Sequence, residues 1–269
     1  REISVLMREE KILLVNAAPV IGEHGVNGAV LVFHDITNLR QLEKVRQDFV
    51  ANVSHELRTP ISSIKGYAET LLHGALEDKE NAEDFLKIIY FEADRLAKLI
   101  SDLLDLSTIE SGKLTLCLKS CNVETVVQRV VSGLKPRVGA KLLTINLVIP
   151  KNIAKIVCDE NMIAQVLLNL IDNAIKYTNA PGQISIKAIE QGGFVQIDVC
   201  DTGIGILEKD LPRLFERFYR VDKNRSCALG GTGLGLSIVK HIIQAHKGRV
   251  FVRSVFGQGS TFSFTIPKK

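Results

Sequence analysis

From Asn38 to Leu106 the apolar residues fall at steps of three and four, and only one short polar stretch interrupts them. That spacing is the seam of packed helices, and it rules out a chain made only of strands. The sequence up to about His73 has no glycine before Gly66 and predicts one long helix starting at Asn38. "HGALEDKEN", residues 73–81, is the polar break. A second helix is expected over residues 81–110, with the stripe Ala82, Phe85, Ile89, Leu96, Leu99, Leu103 and Leu106, and with Glu92 filling one seam position. Two helices joined by a short loop make a hairpin. A single hairpin buries its seam poorly, so two copies are expected to pair through residues 38–110 into a dimeric four-helix bundle.

The pattern differs on either side of the hairpin. Residues 1–37 carry "ILLVNAAPVI" and "GAVLVFHDIT" around the turn "GEHGVNG", which predicts a β-hairpin ending a larger domain. "ESGK", residues 110–113, marks the far boundary. Beyond it the strand patterns "LTLCL", "LTINLVI", "KIVC", "QISIKAIE" and "FVQIDVC", with two more at the end, alternate with helices at "VETVVQRVVSGL", 160–177 and 233–246. The expected fold is an α+β sandwich with helices on one face of a mixed sheet. The domains are then 1–37, 38–112 and 113–269.

Composition bears on partners. At 46% hydrophobic, 24% charged and net charge +4, the chain fits a soluble globular protein, and no nucleic-acid partner is expected. No apolar run reaches the roughly 18 residues of a membrane span, so a membrane is expected only through a segment outside this sequence, which starts at Arg1 in mid-pattern. Five cysteines without a CxxC pair read as reduced thiols of a cytoplasmic protein. Cys117 and Cys121 would share one side of a helix turn, but no second ligand pair follows.

Inside the first helix sits "VSHELRTP", residues 53–60. At about 100° per residue, Phe49, Val53, Leu57, Ile61, Ile64, Ala68 and Leu71 fall in a wedge of about 120°. His55 falls opposite, with Thr59 and Ser62 near it, so it should face solvent. Most exposed histidines are only surface residues. A neutral imidazole beside a carboxylate, here Glu56, is nevertheless a competent nitrogen nucleophile at neutral pH. Pro60 offers no N–H to the Glu56 carbonyl and is expected to bend or loosen the helix.

In "NLIDNAIKYT" a helix puts Asn169, Asn173, Lys176 and Tyr177 on one face, within about 100°. Amide oxygens are hard ligands of the kind Mg²⁺ accepts, although a solvated helix face would look the same. "DVCDTGIGI" ends a strand on Asp201, where a carboxylate can accept from an amino group such as that of adenine. "GGTGLGLSIVK" leads into a helix whose N-terminal N–H groups suit phosphate. It is neither a Walker loop nor a dinucleotide fingerprint. "SVFGQGSTF" is a third glycine site.

In this order these motifs resemble those of the sensor histidine kinases of bacterial two-component systems. "SHELRTP" is similar to the phosphoacceptor motif, "NLIDNAIKYT" to the N box, "DTGIGI" to the G1 box, "LFERFYR" to the F box and "GTGLGLSIVK" to the G2 box. The resemblance runs from about residue 38 to the end, and residues 1–37 resemble the C-terminal part of a PAS domain. The arrangement is most similar to the membrane-linked phosphate-sensing kinases.

The resemblance implies that ATP binds a Bergerat-type fold. It puts Asp201 on the adenine, Asn169 and Asn173 on Mg²⁺ and phosphate, Lys176 and Tyr177 along the nucleotide, and Arg220 at the γ-phosphate. It has Gly231, Gly233 and Gly235 wrap the phosphates, with Gly203, Gly205, Thr232, Leu234 and Thr261 completing the nucleotide site and Asn173 as the metal ligand. By the same resemblance the γ-phosphoryl passes to His55 with Glu56 as base, then to an aspartate of a response regulator, and Thr59 serves removal of the regulator's phosphate.

Gyrase, chaperone and mismatch-repair ATPases share the nucleotide boxes but not a hairpin bearing "HELRTP". A scaffold without activity would be expected to lack His55, Asn173 or Asp201, and all three are present.

Overall fold

The computed structural model describes residues 2–6, 10–22, 25–112, 114–221 and 231–268. Residues 23 and 24 of the expected turn, Cys227, and Gly230 at the head of the second glycine cluster lie outside the described residues. The chain divides into two compact units, residues 1–59 and 60–269.

In the first unit β1 (Glu2–Leu6), β2 (Glu10–Gly22) and β3 (Gly25–Asp35) form an antiparallel sheet in the order β1-β2-β3. The expected hairpin is β2–β3, and β1 adds a third strand to it. The step from strand to helix is clamped. Asp35 accepts from the Thr37 N–H at 3.1 Å, the Thr37 hydroxyl at 2.6 Å and Lys11 Nζ at 3.0 Å. These donors, the Thr37 hydroxyl first, hold the Asp35 carboxyl down at about 2.

Helix α1 (Thr37–Leu72) begins there and crosses the division between the units. It runs through Pro60, which is buried, so the expected loosening does not break it. In the second unit a short 3-10 turn (Ala75–Glu77) leads to α2 (Lys79–Glu110), and Asp78 caps α2 by accepting from the Asn81 N–H. Leu71 of α1 is buried, and Tyr67 packs on Phe85 with tilted rings, centroids 5.2 Å apart, closing the hairpin. Of the expected α2 stripe, Ala82, Leu99 and Leu106 are buried and Phe85, Ile89, Leu96 and Leu103 half-buried.

The rest of the second unit is a layered sandwich. β5 (Leu143–Val148), β7 (Gly182–Gln191), β8 (Phe194–Asp201), β10 (Gly259–Pro267) and β9 (Val250–Val255) form a mixed sheet in that order, parallel only between β5 and β7. Strand alternation turns Ile184, Ile186, Ala188, Val195, Ile197 and Val199 inward to a core closed by α3 (Val123–Ala140), α4 (Glu160–Tyr177) and α5 (Gly235–Ala245). β4 (Lys119–Cys121) pairs with β6 (Ile156–Cys158) as a separate two-stranded ladder.

One strand expectation fails. "LTLCL", residues 114–118, forms no ladder, and pairing begins only at Lys119. The partner β6 has three residues, so nothing remains for 114–118 to pair with. Cys117 and Cys121 therefore do not share a helix turn. The four described cysteines are free thiols, and among the described residues no group of three or more His, Cys, Asp or Glu could hold a metal. Among those residues no helix is long and apolar enough to cross a membrane.

Candidate active site

In the first unit His55 stands exposed on α1, as do Arg58 and Thr59, while Phe49, Val53 and Leu57 are half-buried. The apolar stripe thus sets the orientation of the histidine. Glu56 is half-buried beside it, and the Thr59 hydroxyl donates to the His55 carbonyl at 3.3 Å.

In the second unit a cleft of about 370 Å³ opens along the polar face of α4. That helix forms because Asp159 caps it, accepting from the Asn161 and Met162 N–H groups, and because Ile163, Val166, Leu167, Leu170, Ile171, Ala174 and Ile175 bury its other face. Asn169, Asn173, Lys176 and Tyr177 are left lining the cleft. Asp172 lies among them, buried, with Arg137 Nη2 at 2.6 Å, Lys176 Nζ at 2.9 Å and Lys98 Nζ at 3.6 Å. Burial pushes its carboxyl up, but the surrounding cations, Lys176 foremost, outweigh this and hold it below the ordinary value.

Asp201, at the end of β8, lines the cleft and accepts the Gly203 N–H at 2.8 Å. Burial pushes its carboxyl up, against the backbone N–H groups of Gly203 and Ser260. Gly205 also lines the cleft, at φ +66°, and a Cβ there would come within 2.1 Å of the Val255 carbonyl oxygen. Its lack of a side chain lets this turn pack on the β9–β10 turn, so the glycine serves backbone against backbone. Gly231, Thr232, Gly233 and Gly235 also line the cleft, with Arg220. The Gly233 carbonyl accepts the Phe218 N–H at 2.9 Å, tying the "LFERFYR" segment to the glycine loop.

Three expected site residues lie elsewhere. Thr261 does not line the cleft, because alternation along β10 gives that side to Ser260 and Phe262. Leu234 is fully buried, its side chain spent on the core. Gly203 contributes its N–H to Asp201 but does not line the cleft. Sequence reasoning missed Lys98 and Asp102 of α2, Asp172, and apolar lining from Ile204, Ile206, Leu214 and Phe256. Asp172 had a signal, four residues before Lys176. Lys98 and Asp102 are distant in sequence and had none.

Comparison with known proteins bears on both places. Residues 45–112 match the His Kinase A (phospho-acceptor) domain. Residues 158–269 match the histidine kinase-, DNA gyrase B-, and HSP90-like ATPase family. The sensor histidine kinase WalK of Bacillus subtilis (strain 168) is 38% identical over 264 residues, 97% of this chain and 43% of that protein. The chain therefore spans less than half the length of that relative. Among solved structures, the Acinetobacter baumannii histidine kinase AdeS matches with TM-score 0.66 and 28% identity, over 80% of this chain and 98% of that one. Full-length ShkA, solved in complex with AMPPNP, matches with TM-score 0.62 and 31% identity, over 82% of this chain and 46% of that one.

Proposed function

Because this chain belongs to the sensor histidine kinases, with their phosphoacceptor segment at 45–112 and their ATPase segment at 158–269, we propose that it transfers the γ-phosphoryl of ATP to His55 and then to an aspartate of a response regulator. The observation that carries this reading is the cleft, where the polar face of α4, Asp201 and the glycine loop meet around one space.

Each group has a task there. Asp201 accepts from the adenine amino group, and Lys176 and Arg220 offset phosphate charge. Asn169 and Asn173 line the cleft one helical turn apart, two neutral hard donors that suit Mg²⁺ shared with phosphate and water. When bound, the ion would neutralise phosphate charge. At His55 a ring nitrogen forms the bond to phosphorus as the bond to the ADP oxygen breaks, and Glu56 takes the ring proton. Such transfer asks little of a protein beyond positioning and charge.

The finer parts of the proposal rest on sequence. Residues 1–37 are the end of a PAS-like sensor domain, 38–112 the dimerising phosphotransfer hairpin and 113–269 the ATP-binding domain. The kinase belongs to a cytoplasmic portion tied to a membrane through a segment outside this sequence, and it resembles the phosphate-sensing kinases in the order of its motifs. Dimerisation also has support from α2, where Leu86, Tyr90, Ile100 and Leu104 are exposed on a stripe that adjoins the buried one.

The test is incubation with Mg²⁺ and ATP labelled at the γ-position. Label should enter the wild-type chain and be lost from a folded Asn173→Ala variant. Equal labelling of the two would contradict the assignment of the cleft.

A further inference from the structure

Helix α2 contributes more than a hairpin seam, because Lys98 and Asp102, one turn apart, line the nucleotide cleft. Asp102 is only 7% exposed and Thr232 only 6%. The Thr232 hydroxyl donates to Asp102 Oδ2 at 2.7 Å and accepts the Leu234 N–H at 3.3 Å. A carboxylate of the hairpin is thus fastened to the glycine loop that the proposed function gives to the phosphates. Other ties of α2 lie away from the cleft. Asp105 accepts from Gln165 Nε2 at 2.6 Å, and Glu110 pairs with Arg217.

Among the described residues the cleft's lining cations are Lys98, Lys176 and Arg220, and its lining carboxylates are Asp102, Asp172 and Asp201, three against three. Each lining cation thus has a lining carboxylate to oppose it, and a triphosphate entering there competes with those carboxylates. Asp102 stands directly against the loop that must receive the phosphates, and two anions repel strongly where water is scarce. Asp172 is paired with Arg137, which does not line the cleft, at 2.6 Å, and Asp201 faces the adenine end of the proposed nucleotide, so Asp102 is the carboxylate in conflict with phosphate.

Resting on the nucleotide reading above, we propose that Asp102 is a latch that holds the glycine loop through Thr232 in a phosphate-excluding position. Seating a triphosphate breaks the Thr232–Asp102 hydrogen bond and frees the loop from α2. Occupancy of the cleft is then reported directly to the hairpin helix. Adenosine, which carries no phosphate, does not compete with the latch.

The experiment titrates AMPPNP and adenosine separately into the whole chain, wild type, Asp102→Ala and Asp102→Asn, with thermal melts to confirm folding. Asp102→Ala should bind AMPPNP about tenfold more tightly, the change expected from no longer breaking one hydrogen bond to a charged group, with adenosine unchanged. Asp102→Asn should fall between, since its amide oxygen still accepts from Thr232 but carries no charge. It also carries the test if Asp102→Ala fails to fold. Unchanged or weaker AMPPNP binding in the folded variants overturns the latch. Equal tightening for adenosine also overturns it, because the effect would then not be one of phosphate. If no ligand binds any of the three proteins, the nucleotide reading itself fails and the latch falls with it.

Discussion

Thr59 lies one turn after His55, with its hydroxyl proton engaged by the His55 carbonyl at 3.3 Å. That bond is long and exposed, and a hydroxyl can rotate to donate elsewhere while its oxygen accepts. The side chain can therefore orient a water against an aspartyl-phosphate on a docked regulator, and it has no charge to offer ATP. Thr59→Ala should leave labelling of His55 near wild type and sharply slow loss of phosphate from the regulator. A fall in both activities would make Thr59 a structural residue. Asp172 sets a pH dependence. Its folded-state pKa lies below the ordinary 3.8, so its ion pairs stabilise the fold above that value, and the contribution is lost as pH falls through the depressed one. The stability gap between wild type and Asp172→Asn, from denaturant melts, should narrow as pH drops below about 4. A gap that stays constant or widens on acidification would contradict the ion-pair account.

Helix α2 carries two apolar stripes, and only one is spent within the chain. Leu99 and Leu106 are buried, whereas Tyr90 is 77% and Leu104 64% exposed. Covering the second stripe with a second copy gives the proposed bundle. Tyr90→Glu with Leu104→Glu should convert the dimer to a monomer by light scattering at micromolar concentration, with AMPPNP binding retained. A variant that stays dimeric would place the interface elsewhere. The helices were legible because a period of three and four needs no knowledge of the partner, and α1 starts and ends within one residue of its expected bounds. The expected strand at 114–118 failed for the opposite reason. A strand exists only if something pairs with it, and Leu114, Leu116 and Leu118 alternate well without a ladder to join.

At the scale of the whole molecule the two proposed halves of the reaction sit on different units, His55 on the first and the cleft in the second. The cleft was legible as far as chemistry is written locally, in the face of α4, the strand-end carboxylate and the glycine loop. Lys98 and Asp102 were not, since only folding brings α2 to those loops. Nor was the cleft's exclusion of Thr261, which depends on which face β10 turns inward. By the proposed function the cleft and the exposed histidine serve one transfer. The direct measurement is the chemical stability of the label that γ-labelled ATP leaves on the chain, in wild type and in His55→Gln. The label should be lost in acid, kept in base and absent from His55→Gln, as a phosphoramidate on that nitrogen requires. An equally labelled His55→Gln, or a label stable in acid, would contradict the proposed function.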